Sequence, residues 1–165
     1  MRKKKSIRTQ FIVRSAAIAA IYIVLTMISS LFGMSSGAIQ LRLSEALTVL
    51  PAFTLAAVPG LFVGCLVSNI ASGGIILDVI FGSIATLIGA AGTRLLRGHP
   101  YLAPIPPIIS NTVIVPFVLA YAYKIEGTVP YFMLTVGIGE VISCGVFGTV
   151  LTCAILKSGN GIMHD

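Results

Sequence analysis

An all-α integral membrane protein of six transmembrane helices is the fold class this sequence predicts, and three observations predict it. Hydrophobic residues make up 56% of the 165 positions and charged residues only 10%, against soluble averages of about 45–50% and about 25%. A soluble domain of this composition would expose large apolar patches and aggregate. The apolar runs are long and do not alternate, which favours helices over a closed barrel as the means of satisfying backbone groups in lipid. Finally, the basic residues sort to one side if the chain crosses six times. Arg2, Lys3, Lys4, Lys5, Arg8, Arg14, Arg94, Arg97 and Lys157 then lie inside, and only Arg42 and Lys124 outside.

The domain organisation follows. Residues 1–8 form a basic cytoplasmic tail, 9–157 a six-helix membrane domain, and 158–165 a second cytoplasmic tail. The run after the basic start extends from about Phe11 to Phe32, longer than the h-region of a signal peptide. It is read as a retained first helix, from about Thr9 to Leu31. Ala16 and Ala20 lie four apart on it and share a face that admits another helix closely, or serves ordinary internal packing. A loop, Gly33–Leu43, leads to Ser44, a candidate N-cap. A short second helix, Glu45 to Leu55, contains Pro51. Pro59 opens a third, in which Gly60, Gly64, Ser68 and Ser72 recur every fourth residue as a close-packing stripe. Both segments are too short to span upright, given about 20 residues per crossing. After the Ser72–Gly74 turn, a fourth helix runs from about Ile75 to Leu96, with Asp78 in its first turn and Arg94 in its last. A proline-rich connector holds His99. The fifth helix, Pro107 to Tyr123, carries Asn111 and Pro116, and the sixth, Val129 to Leu156, carries Glu140. Tyr101, Tyr121, Tyr123 and Tyr131 sit near span ends, as in an aromatic belt.

Ionisable residues inside such sequence are costly unless they pair, meet water or meet a ligand. Six residues qualify as site candidates: Arg42, Glu45, Asn69, Asp78, Asn111 and Glu140. The topology puts them toward the outer side, where they would line an outward-facing cavity. Glu140 lies about 16 Å into its helix at 1.5 Å per residue, with no basic residue within four positions. A carboxylate at that depth demands a partner or a ligand. The others keep alternatives: a surface ion pair for Arg42 with Glu45, helix capping for Asp78, and interhelical hydrogen bonding for the two asparagines. Glu126 reads as a solvated loop charge.

Several classes are excluded. The net charge of +6 reflects membrane orientation rather than a phosphate-binding face, so no nucleic-acid partner is expected. There is no phosphate-binding loop, HExxH pattern or nucleophile elbow, so an enzyme is not expected, nor a cofactor or metal in this chain. Cys65, Cys144 and Cys153 form no CxxC pair and read as small buried hydrophobes.

The string IQLRLSEALTVLPAFT, followed by PGLFVGCLVSNI, the Gly73-Gly74 turn and DVIFGSIATL, resembles the QueT family. That resemblance implies a substrate-binding S component of an energy-coupling factor (ECF) transporter, an ABC-type importer taking up queuosine precursors, which are 7-deazaguanines. It implies six helices with both termini cytoplasmic, and partners: a transmembrane coupling subunit, docked through a face here matched by Ala16 and Ala20, and two cytoplasmic ATPase subunits that use the ATP. The S component is expected to topple in the membrane, carrying its substrate inward. A 7-deazaguanine offers N1–H and an exocyclic amine as neighbouring donors, which one carboxylate accepts together. Glu140 is the candidate for that edge. Glu45 is the candidate for a cationic 7-aminomethyl group, with Asp78 in reserve, while Asn69 and Asn111 would read other ring positions. Alternatives are an S component for another vitamin-like heterocycle, or a self-sufficient secondary carrier; the inverted repeats common in such carriers are not visible.

Overall fold

The computed structural model describes residues 2–34, 40–124 and 126–158, with side chains from Ile7 onward. The lysines of the basic start, the middle of the Gly33–Leu43 loop and all but the first residue of the 158–165 tail therefore lie outside the described side chains.

Six helices carry the described residues, and no strand occurs among them. Helix α1 is Arg2–Leu31, α2 Leu43–Ala52, α3 Ala57–Ala71 and α4 Ile76–Leu95. Helix α5 is Pro100–Ala122 and α6 Val129–Lys157. Helix α1 begins at Arg2 and so includes the residues of the expected basic tail. Apolar length makes the chain a membrane protein. Four helices, α1 from Ile7, α4, α5 and α6, are long and apolar enough to cross a bilayer. Helix α2 is 3₁₀ and has ten residues, so it is about 20 Å long at ~2 Å per residue. Helix α3 has fifteen, or about 22 Å. Neither alone covers a hydrocarbon core of about 30 Å.

The helices alternate in direction. Leu31 at the end of α1, the 72–74 turn between α3 and α4, and Tyr123 just after α5 border one cavity, so these three places share an end of the molecule. At the other end Ser15 Oγ donates to Ala56 O (2.9 Å), Arg94 Nη1 to Pro51 O (3.3 Å) and Thr93 Oγ1 to Ala103 O (2.9 Å). Helices α2 and α3 therefore form one excursion to this second end and back.

Polarity is distributed inside out. Ile12, Val24, Ile80 and Val150 are exposed, whereas Ser44, Glu45, Thr48, Asn69 and Asn111 are buried. Lipid is the solvent that accepts such an exterior. Hydroxyls within the helices turn back on their own backbone: Ser29 Oγ donates to Leu25 O, Ser83 Oγ to Val79 O and Thr86 Oγ1 to Gly82 O.

Small residues set the spacing of the elements. A Cβ at Gly60 would meet Ser15 O at 2.7 Å, and one at Gly64 would meet Tyr22 Cβ at 2.9 Å. The stripe on α3 thus seats α1. It includes buried Ser68 but stops before Ser72, which is exposed at the helix end. The face of α1 toward α3 is Ser15, Ile18, Ala19 and Tyr22; Ala16 and Ala20 are exposed on another side, so internal packing does not account for them.

Candidate functional site

A cavity of about 650 Å³ opens at the end shared by Leu31, the 72–74 turn and Tyr123. Arg42, Asn69 and Asp78 line it together with Thr26 and Gln40. Below lies a small chamber of about 20 Å³, bordered by Glu45, Gly82, Thr86, Asn111, Val136 and Glu140. Gln40, Arg42, Asp78 and Val115 border both spaces and form the throat between them. All six residues nominated from sequence line this funnel.

The floor is a hydrogen-bonded cluster. Asn111 Nδ2 donates to Glu140 Oε1 (3.0 Å) and approaches Glu45 Oε2 (3.4 Å), so one amide joins carboxylates from α2 and α6. Tyr22 Oη donates to Glu45 Oε1. Cys144 Sγ lies 3.1 Å from Glu140 Oε2 and 3.4 Å from Glu45 O, and Thr48 Oγ1 is 3.3 Å from the same sulfur. Ligand atoms of Glu45, Glu140 and Cys144 lie within 4.8 Å of one another, the one such acidic and thiol grouping among the described residues. Two carboxylates focused on one point in a low-dielectric interior attract a group rich in hydrogen-bond donors or positive charge.

Local structure explains the convergence. Helix α6 changes to π-helical winding at Val141–Phe147, directly after Glu140. Such wide turns often occur at functional sites. Glu140 and Cys144 share a face four residues apart, and Ser143 Oγ accepts the Arg42 backbone N–H (3.3 Å), tying α6 to the chain entering α2. Gly139 permits that contact, because a Cβ there would collide with the Gln40 carbonyl. In α5, Pro116 removes one ladder bond, and winding widens to π over Val118–Ala122.

The mouth is built differently. Tyr123 Oη donates to Asp78 Oδ2 (2.9 Å) and lies 3.4 Å from the Ile75 amide. Burial, and then the neighbouring Asp78 carboxylate, push the Tyr123 phenol above its ordinary value, so it remains a donor at neutral pH. Asn69 Nδ2 reaches Cys65 Sγ at 3.6 Å within its own helix.

Several sequence alternatives are corrected by these contacts. Glu45 is only 2% exposed, so it is no member of a surface ion pair. Ser44 does not cap α2. It is buried, its Oγ accepts Thr26 Oγ1 (2.8 Å), and the N-cap position falls to Arg42 without a side-chain bond. Asp78 does not cap α4, whose N-cap is Ile75; its Oδ2 faces Tyr123 instead. Asn111 makes the interhelical bonds expected of one alternative, but to two carboxylates of the site. Cys144 and Cys65 are buried yet are more than apolar filler: Cys144 touches both acidic residues, and Cys65 accepts Thr86 Oγ1 (3.3 Å). Tyr22 is absent from the sequence reading, and Cys144 and Tyr123 enter it only as a buried hydrophobe and a span-end aromatic, not as site residues. A phenol in mid-span, which needs a polar partner, and a thiol one turn after Glu140 were the available signals.

Residues 12–157 match the family model described as QueT transporter. The chain belongs to the QueT transporter family. The family is one of transporters, not enzymes, and this bears out both the resemblance drawn from the 39–54 and 59–87 strings and the expectation of no catalysis. A relative in Lactococcus lactis subsp. cremoris (strain MG1363), described as queuosine precursor transporter QueT, is 40% identical over 85 residues. That match covers 52% of this chain and 49% of the relative, so it spans about half the length of that protein. No solved structure matches the chain.

Proposed function

We propose that this chain binds a queuosine precursor, a 7-deazaguanine, and serves as the S component of an ECF-type importer. The observation that carries this reading is the floor of the funnel, where Glu45 and Glu140 converge and Asn111 joins them. A 7-deazaguanine presents adjacent N–H donors that fit paired carboxylate oxygens, and Arg42 at the throat supplies donors for the neighbouring ring carbonyl. The description of the Lactococcus relative as a queuosine precursor transporter supports this substrate class. A binding role, with ATP hydrolysed by two partner ATPases, fits a chain that has no phosphate-binding loop of its own. Exposed Ala16 and Ala20 on α1 would receive the transmembrane coupling subunit. The distribution of basic residues supports cytoplasmic termini and an outward-facing funnel, with α2 and α3 completing six crossing segments as an inward and outward pair. Toppling of the chain would then carry the substrate inward.

The test is thermal stabilisation of the purified protein by a panel of deazaguanines, purines and vitamins, since a ligand stabilises in proportion to its binding. A 7-deazaguanine should raise the melting temperature with concentration, and Glu140→Gln should weaken that base at least about tenfold. Unchanged affinity in that variant would remove Glu140 from the site. Stabilisation by an unrelated vitamin alone would replace the substrate.

A further inference from the structure

The convergence of Glu45 and Glu140 constrains how a side arm on the bound ring is read. This rests on the proposed function, because it takes the ring to be a 7-deazaguanine. The donor edge belongs to the six-membered ring and position 7 to the five-membered ring, with the ring carbonyl between them. Ligand atoms of Glu45 and Glu140 come within 4.8 Å of one another, so both face the same edge. The two carboxylates are therefore better placed to act together on one edge than to divide the edge and the arm between them.

We infer that Asp78, positioned by Tyr123, forms a separate subsite that accepts a cationic side arm, and that Glu45 works with Glu140 on the donor edge. Three observations place it there. Asp78 borders the wide cavity and also the chamber, whereas Glu45, Asn111 and Glu140 border only the chamber. Asp78, Gly82 and Thr86 lie at successive turns of α4 along the funnel wall, so Asp78 stands about 12 Å above the level of Thr86 at 1.5 Å per residue. Gly82 leaves room for two polar side chains: a Cβ there would stand 3.1 Å from Asn69 Nδ2 and 3.4 Å from Asp78 Oδ1, so both groups come close to the helix at that turn. Tyr123 donates to Oδ2 alone, which fixes the carboxylate and leaves acceptor capacity for an ammonium group.

The chamber, at about 20 Å³, has room for about one water and not for a ring. The ring must lie in the wider space with only its donor edge directed to the floor. This keeps the arm at the level of Asp78.

Purified wild type, Asp78→Asn and Glu45→Gln are titrated with two probes, 7-aminomethyl-7-deazaguanine and its uncharged 7-cyano counterpart. Asp78→Asn should lose at least about tenfold in affinity for the aminomethyl probe and hold the cyano probe within about twofold. Retained cyano binding itself shows that the variant is folded. Glu45→Gln should weaken both probes alike. Equal losses for both probes in Asp78→Asn, or no loss for the aminomethyl probe, overturn the subsite. A loss confined to the aminomethyl probe in Glu45→Gln does the same and returns the arm to Glu45. Failure of wild type to bind either probe overturns the substrate reading, an outcome distinct from a misplaced arm.

Discussion

Glu45 shows what a single ionisable residue requires inside this fold. It is held from α1 by Tyr22, from α5 by Asn111, and lies beside Glu140 and Cys144 of α6. Interhelical hydrogen bonds in membranes average only about 0.6 kcal/mol, with a ceiling near 1.7. A bond to a buried carboxylate belongs at the upper end, because removing the donor leaves an acceptor that lipid cannot satisfy. Tyr22→Phe should therefore lower stability by about 1–2 kcal/mol, read as a drop in the detergent melting temperature. It should also weaken ligand binding, since Glu45 loses its orientation. A variant that melts and binds like wild type would show that Asn111 alone holds the carboxylate.

Helix packing depends on where a methyl group has no room. Gly64 faces Tyr22 and Ala19 of α1, and the buried cluster of Ile18, Tyr22, Leu61 and Cys65 forms around that approach. Gly64→Val would force α1 away from α3 and move the Tyr22 phenol off Glu45. A destabilisation of about 1–3 kcal/mol is expected, as for other overpacked sites. Gly98, between α4 and α5, has nothing within 4 Å of an added Cβ, so Gly98→Ala should melt at the wild-type temperature. Comparable melting temperatures for the two variants would mean that the glycine stripe does not set the helix spacing. The same physics makes the sequence legible here, because residues four apart on a helix share a face. It is also why the Gly60–Gly64 stripe was recognised while its partner face was not. Ala16 and Ala20 have the same spacing, yet it is Ile18, Ala19 and Tyr22 that meet α3.

Across the whole molecule, an apolar exterior surrounds a funnel of polar groups that opens at one end. An exterior of this kind accommodates lipid and a partner helix equally well, and the exposed small residues on α1 mark where a backbone can approach most closely. Replacing Ala16 and Ala20 together by Leu should abolish uptake of labelled base in cells that supply the coupling and ATPase subunits. Binding by the purified chain should stay unchanged, because neither side chain borders the funnel. Unimpaired uptake would move the docking face elsewhere. Normal uptake by the unmodified chain without those subunits would instead point to a self-sufficient carrier.

Composition and the length of apolar runs were enough to establish a helical membrane protein, since lipid leaves the backbone few ways to satisfy its hydrogen bonds. They also drew attention to Glu140, Glu45 and Asn111, because a charge or amide in such sequence has no inexpensive solvent. What sequence could not contain was their mutual distance. Glu45 and Glu140 are ninety-five positions apart, and only the π-helical turn after Glu140, the buried placement of α2 and the amide of Asn111 bring their carboxylates to one point. Spacing along a chain reports which residues share a helical face; which faces meet is decided by packing, where a missing Cβ on one helix determines how closely the next can come.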